Sequence, residues 1–484
     1  MRMIALLAAL AVAAAPAPRD WGAALRADAQ ALHDDVAVNH PGPVNRYDPG
    51  FARRNDAQLA LALERAATAR TYGDYFFALR EYAASFNDGH VSFGAYGDTP
   101  NDFRWPGFLT SYDDAGAVHV VIADRGAPVA IGDRLVGCDG RSADRVGADI
   151  LGRMWGRWQL DSQRRQCGSF LFLDEGNRYI RYPVRCTFAT GGRRRAESLV
   201  WRPISVGDAW ERLSASNHAA PRTFGARVLP DGTRWYSMPS FDGDPGTAAG
   251  KALPPLIAGI AADRAALAAA PAIVLDLRGN GGGSSEWSHQ IAQILWGRDR
   301  LARLPANGTQ IDWRASRANL AAIQESYAAR KASLSPEADR WYRTVIAGLG
   351  EALARGDALW RQVDDENLRT PPNSPLADRA SSPRLHGRVY FVTDDACASA
   401  CLDAVDLWRA LGAIHIGRST SVDTLYMEVR RVRLPSGLTG VSVPMKVYRD
   451  RPRGDNVPVV PVHRYAGDMR DTAALERWVA GLPR

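Results

Sequence analysis

After its first fifteen residues, the sequence has no apolar run long enough to make a transmembrane helix, which argues against stable membrane insertion. It has no basic stripe interleaved with aromatics. Its arginines are scattered apart from one short run at Arg193-Arg194-Arg195, and a net charge of +7 is modest for 484 residues. Nucleic acid is therefore not an expected partner. There is no Cys-x-x-Cys and no cluster of histidines, so zinc-site spacing is missing and no metal or cofactor is expected. The Gly-x-Ser-x-Gly elbow of α/β-hydrolases is absent. A Gly-x-Gly-x-x-Gly match at Gly279 fails at Ser284, and no Gly-Lys-Ser/Thr follows, which speaks against a nucleotide cradle. No internal repeat is visible.

What remains is an ordinary globular composition, 46% hydrophobic and 23% charged, in a chain long enough for two or three domains. Met1-Arg2-Met3, the apolar run from Ile4 to Val12, and Ala13-Ala14-Ala15 together read as a secretory signal peptide over residues 1–15. The mature protein is then expected to be periplasmic or secreted, where disulfides form. The five cysteines are Cys138, Cys167, Cys186, Cys397 and Cys401, so at least one is left over. Around Gly176-Asn177, taken as a two-residue hairpin turn, Cys167 and Cys186 lie equally far out and directly opposite. That register predicts a Cys167–Cys186 disulfide. Cys397 and Cys401 are one helical turn apart and can also pair.

Three apolar-periodic runs make residues 20–100 a helical region, ending in Asn87-Asp88-Gly89-His90. Asp-Gly marks a turn and leaves His90 on the first residue of a strand-like segment. Residues 101–205 look β-rich, with strands at Val118 to Ile122 and around Leu135. From residue 206 the pattern becomes α/β. Ala248 to Ala269 reads as one long alanine-rich helix. Ala272-Ile273-Val274-Leu275-Asp276-Leu277-Arg278 is continuously apolar at its start, as buried parallel strands are. Residues 300–380 are charged, alanine-rich and helical in pattern with no strand signal, and read as an insertion able to form a lid. Tyr426 to Leu434 and Val441 to Tyr448 form a hairpin around Pro435-Ser436-Gly437.

The chain is organised around Asp394-Asp395-Ala396-Cys397-Ala398-Ser399-Ala400-Cys401. It follows the apolar strand Arg388 to Thr393 and precedes Val405, Leu407, Trp408 and Leu411 at helical spacing. Ser399 thus sits where a strand turns into a helix, near unpaired N–H groups and the positive end of the helix dipole. That suits a nucleophile whose transition state gains negative charge. Taken alone, it is also where a helix-capping serine sits. The second element is Gly279-Asn280-Gly281-Gly282-Gly283 after the parallel strand. Glycines there permit close approach of backbone, and their N–H groups can form an oxyanion hole with that of Ala400. His90 and Asp455, in Arg453-Gly454-Asp455-Asn456, are the remaining candidates. Alone, Asp455 would pass for a turn aspartate.

Leu275-Asp276-Leu277-Arg278-Gly279-Asn280-Gly281-Gly282-Gly283, with Ala398-Ser399-Ala400 opening a helix well downstream, resembles the S41 peptidases, the C-terminal processing and tricorn-type serine proteases. The resemblance covers roughly residues 210–300 and 386–470. It implies a ClpP/crotonase-like α/β catalytic domain over 206–484. Within 101–205, Pro106-Gly107-Phe108-Leu109, Val118-His119-Val120 and Gly132-Asp133-Arg134-Leu135 resemble a PDZ-like module, which would add a peptide strand to a sheet edge; the alternative is a structural β-subdomain. The processing branch uses a Ser–Lys dyad, but Arg418-Ser419-Thr420-Ser421-Val422-Asp423-Thr424 has no lysine where that residue is expected. The tricorn-like branch uses a histidine, often in Asp-Gly-His, which matches His90. Its acid precedes a Pro that matches Pro461, which leads to Asp455, an Asp where the family usually has Glu. Asp423 is a spare acid and His463 a spare base. The resemblance implies an exported serine endopeptidase acting on peptide or unfolded-protein substrates. Ser399, His90 and Asp455 would be catalytic, with oxyanion donors from Ala400 and Gly281 or Gly282. The alternatives are a peptide- or small-ligand-binding protein on the same scaffold, and an esterase using the same site.

Overall fold

The computed structural model describes residues 19–97, 102–216, 223–305, 308–334, 336–362 and 384–483. The proposed signal peptide lies outside them. The centre is a six-stranded sheet in the order Gly225–Val228, Arg234–Ser237, Ala272–Asp276, Arg388–Thr393, Ile414–Gly417, His463–Arg464. The first pair is antiparallel and the rest run parallel. Both faces are covered, which is why the strands read as unbroken apolar runs. Ile273, Leu275, Val389 and Phe391 point to one side, into a core with Leu253, Ile257, Leu402 and Trp408. Val274, Tyr390, Val392 and Ile416 point to the other, against Leu475 and Val479 of the last helix, Thr472–Ala480. The expected long helix is two, Ala248–Ala262 and Arg264–Ala269, broken at Asp263.

The helical N-terminal region is Trp21–Asn39, Phe51–Ala66 and Tyr72–Ala84. Thr71 and Asp74 form a capping box at the start of the third helix. These helices pack on a long hairpin, Tyr426–Arg433 with Thr439–Arg449, through Tyr75, Tyr82, Val441 and Val443. The chain reaches the hairpin through the short strand Phe93–Ala95, which pairs with Thr439–Val441. His90 therefore sits in the turn before that strand, not on it.

The β-rich region is a six-stranded antiparallel sheet running Phe108–Tyr112, Val118–Ala123, Arg134–Cys138, Arg185–Thr190, Arg193–Ser198, with Arg141–Ser142 on its side. The expected hairpin between Cys167 and Cys186 does not form. Asp161–Cys167 is a helix and Gly168–Phe172 a 3-10 turn, so counting outward from Gly176 assumed extended chain where there is none. Cys186 instead faces Cys138 on the neighbouring strand, and the disulfide is Cys138–Cys186, with Cα atoms 4.0 Å apart. Cys167 is a buried free thiol, its pKa pushed up to about 12 by burial. Cys397 and Cys401 form the second disulfide.

The lid-like insertion also differs from expectation. Besides the helices Arg317–Arg330 and Pro336–Arg355 it holds two strands, Gln310–Arg314 and Leu359–Gln362. Gln310–Arg314 lies between Leu359–Gln362 and the long hairpin strand, so the insertion extends the hairpin sheet. Its own core holds Ile311, Trp313, Val345 and Leu349, and Lys446 of the hairpin lies over Trp313, Trp341 and Tyr448. A segment tied down along a strand ladder and a core is a fixed part of the fold. Residues 306, 307, 335 and 363–380 of this stretch lie outside the described residues.

Non-reducing peptide mapping should recover Cys138 joined to Cys186, with Cys167 alkylated only after unfolding. The bond links residues 48 apart, so removing it with Cys138→Ala and Cys186→Ala should lower the unfolding free energy by about 4 kcal/mol on loop entropy. A Cys167–Cys186 peptide would overturn this pairing.

Candidate active site

Ser399 lies at the start of the helix Ala400–Ala410, with φ +55° and ψ −129°. A non-glycine residue in this region is strained by on the order of 1–3 kcal/mol and persists only where the surroundings impose it. Four features do so here. The Cys397–Cys401 disulfide spans the turn. Asp423 Oδ1 accepts the Ser399 N–H at 2.7 Å. Asp394, buried at the end of the strand, accepts the Ala396 N–H with one oxygen and the Gly279 N–H with the other, at 3.0 and 2.9 Å. Burial pushes its pKa up to about 6 despite these bonds. The fourth is the glycine loop itself.

That loop is built to lie against Ser399. Asn280 is fully buried, donating to the Met238 carbonyl and accepting the Gly282 N–H at 2.9 Å. Gly282 has φ +101°, and a Cβ on it would stand 2.6 Å from Ser399 Cβ and 2.7 Å from the Ala398 carbonyl oxygen. Gly283, at φ +137°, lies closer still to the backbone of Phe241, where a Cβ would stand 2.1 Å from the carbonyl, and the Ser284 N–H donates to the Phe241 carbonyl across this contact. The consequence for the oxyanion donors is specific. The Gly282 N–H is already engaged by Asn280, whereas the N–H groups of Gly281 and Ala400 have no hydrogen-bond partner among the described residues.

His90 follows the Asn87-Asp88-Gly89 turn, with its backbone N–H bonded to Asp88 Oδ1 at 2.8 Å and its Nδ1 3.6 Å from the same oxygen. Its pKa is raised. Desolvation lowers it, but Asp88 and then Asp423 outweigh this, with Arg157 opposing them. Asp88 is buried and was not singled out from the sequence, although Asp-x-His in one tight turn brings a carboxylate to its own imidazole. Arg157 reaches the turn from the β-rich region: its N–H bonds Asn87 Oδ1 and its guanidinium packs over Gly89. Asp455 makes no hydrogen bond to His90. Its Oδ1 accepts the Leu425 N–H at 3.1 Å, and its pKa is raised by desolvation, with the Asp88 carboxylate adding to the effect. The next residue, Asn456, ties this loop to the histidine turn by donating to the Asn87 carbonyl at 3.2 Å. His463 lies on the sheet's edge strand. No hydrogen bond joins Ser399 and His90.

Ion pairs surround the Ser399 turn. Arg453, almost fully buried, contacts Asp403 and Asp406 of the Ser399 helix and Asp423. The β-rich region is latched on through Arg165, whose guanidinium forks onto Asp395 with two bonds of 2.6 Å. Among the described residues, no group of three or more His, Cys, Asp or Glu could hold a metal ion, and no helix is long and apolar enough to cross a membrane.

Adding a methyl group tests the close approach. Gly282→Ala should lower the unfolding free energy by about 1–3 kcal/mol in chemical denaturation. Gly281→Ala, where a Cβ meets nothing within 4 Å, should leave it within about 0.5 kcal/mol.

No protein-family model and no curated protein matches the chain. Among solved structures, mature CPAF is similar over 94% of this chain and 96% of its own, with a TM-score of 0.60 and 14% identity. Mature CPAF complexed with lactacystin is similar over 95% and 97%, with a TM-score of 0.59 and 14% identity. The photosystem II D1 C-terminal processing protease gives a TM-score of 0.33 at 14% identity over 91% and 93%. At such identities the likeness is one of fold, and over nearly its whole length the chain shares the fold of mature CPAF.

Proposed function

We propose that the protein is an exported serine peptidase. Ser399 attacks a peptide carbonyl, His90 takes its proton, and the N–H groups of Ala400 and Gly281 receive the oxyanion. The observation that carries the reading is the strained Ser399 turn. A mere helix cap needs neither a left-handed φ nor a glycine pressed against its Cβ. Asp88, beside Nδ1, leaves Nε2 as the nitrogen that faces the serine in the working complex, and it would stabilise the imidazolium. Asp455 adds negative charge close to Asp88, as a more distant support for the same cation. His90 hands the Ser399 proton to the leaving amine as the C–N bond breaks and the acyl-enzyme forms; it then takes a proton from the water that attacks the acyl carbon and returns that proton to Ser399 Oγ as the ester bond breaks.

The parallel sheet with its crossover helices supports the ClpP/crotonase-like reading of residues 206–484. The antiparallel sheet of the β-rich region supports a PDZ-like unit that adds a substrate strand to one edge. Two disulfides support folding in an oxidising compartment. The substrate class is peptide or unfolded protein.

A fluorophosphonate probe tests the serine. Wild-type mature protein should label, and Ser399→Ala should not. His90→Ala should label at least about 100-fold more slowly. Lactacystin, bound in one similar structure, is a second probe for the same residue. No labelling of folded wild-type protein would leave only the binding-protein alternative. Cleavage of esters without any peptide would favour the esterase.

The labelling rate should also depend on pH in a defined sense. Only neutral His90 is a base, and its pKa is raised above 6.5. The rate should therefore climb with pH through a midpoint above 6.5. Asp88→Asn removes the charge that raises it and leaves desolvation, so the midpoint should fall. An unmoved midpoint in that variant would mean that another group titrates.

A further inference from the structure

We infer that Asp423 is a positioning residue for the Ser399 nucleophile, fixing the serine's backbone through its carboxylate. This rests on the peptidase reading of the site. Its Oδ1 accepts the N–H of Ser399 itself at 2.7 Å. Its Oδ2 is held from behind by Arg453 Nη2 at 3.3 Å, with Arg451 Nη1 at 3.8 Å. Its carbonyl oxygen accepts the Asn456 N–H at 2.8 Å. The residue is 3% exposed. Both carboxylate oxygens and the carbonyl oxygen are thus engaged, and the engagement links the nucleophile to the loop that approaches the histidine turn.

Two effects follow from this placement. The first is geometric. With φ at +55°, the Ser399 peptide would relax toward an ordinary helix start unless its N–H were held where it is. A bond to a carboxylate is roughly twice as strong as one to a neutral acceptor. The same bond removes the Ser399 N–H from the oxyanion donors, so those must come from Ala400 and Gly281.

The second is electrostatic. The charges facing His90 are Asp88 and Asp423 on one side of the balance and Arg157 on the other. Those facing Asp423 are Arg451 and Arg453, with Asp403 and Asp406 sharing Arg453. Asp423 is thus a fixed negative charge near the imidazole. It favours the imidazolium that forms when Ser399 gives up its proton.

The test uses the full mature chain, fluorophosphonate labelling rates across pH, and two variants. Asp423→Asn keeps an oxygen to accept the Ser399 N–H and loses the charge. Its labelling should slow roughly tenfold, and the midpoint of its pH–rate curve should move to lower pH. Asp423→Ala loses both, and its labelling should slow by about 100-fold. A purely structural residue would change the melting temperature without moving the midpoint. A wild-type rate or a wild-type midpoint in Asp423→Asn overturns the inference, whether or not Asp423→Ala folds. Absence of labelling in the wild-type protein is a different failure: it removes the hydrolase reading itself.

Discussion

The site depends on two stretches of backbone lying closer than side chains ordinarily permit. Gly282 and the Ala398–Ala400 turn are within van der Waals contact through main chain and Ser399 Cβ alone. The contact requires that both segments leave adjacent parallel strands at the same end, which the pairing of Ala272–Asp276 with Arg388–Thr393 provides. It also requires the loops to be fastened, because a glycine-rich loop on its own would sample many conformations. Asp394 is the fastener: one carboxylate bridges the N–H of Gly279 in one loop and of Ala396 in the other. Asn280 locks the first loop from within, and the Cys397–Cys401 bond the second. Position in the sheet comes from hydrophobic burial and position within the site from directional bonds.

Much of this was legible in the sequence because it is local. The apolar runs before Gly279 and before Asp394 could only be buried strands. A small-residue turn followed by helical periodicity placed Ser399 correctly at a helix start. What escaped depends on chain segments meeting from far apart. Asp423 is 24 residues from Ser399, and nothing in its own neighbourhood marks it for that N–H. The disulfide failed for a related reason. Symmetric spacing about Gly176 is evidence for pairing only if both flanks are extended, and Asp161–Cys167 is helical. The strands of the insertion were hidden because Gln310–Arg314 and Leu359–Gln362 are short and partly charged. Their strand character comes from the ladder they join rather than from their composition.

Three parts of the chain converge on the Ser399 turn, which explains why it is reinforced so heavily. The β-rich unit grips Asp395 through Arg165. The helical unit delivers His90 and Asp88 on a turn braced by Asn456 and Arg157. The sheet domain supplies Ser399 and the glycine loop. These contacts are polar, and polar contacts hold orientation better than they hold stability. A forked Arg–carboxylate pair such as Arg165 with Asp395 fixes direction as well as distance.

Arg453 shows how far that logic goes. The residue is 8% exposed, and its guanidinium is shared among Asp403, Asp406 and Asp423. Burying Arg453 and Asp423 costs desolvation energy that an apolar cluster of the same size would not. What an apolar cluster could not supply is a carboxylate oxygen aimed at the Ser399 N–H with its charge held in place. Asp403 also accepts from Ser285, at the start of the helix that follows the glycine loop. One arginine thereby couples the glycine loop, the helix that follows Ser399 and the carboxylate on the Ser399 N–H. The strain at Ser399 is sustained by a buried ionic network whose worth lies in geometry more than in net stability.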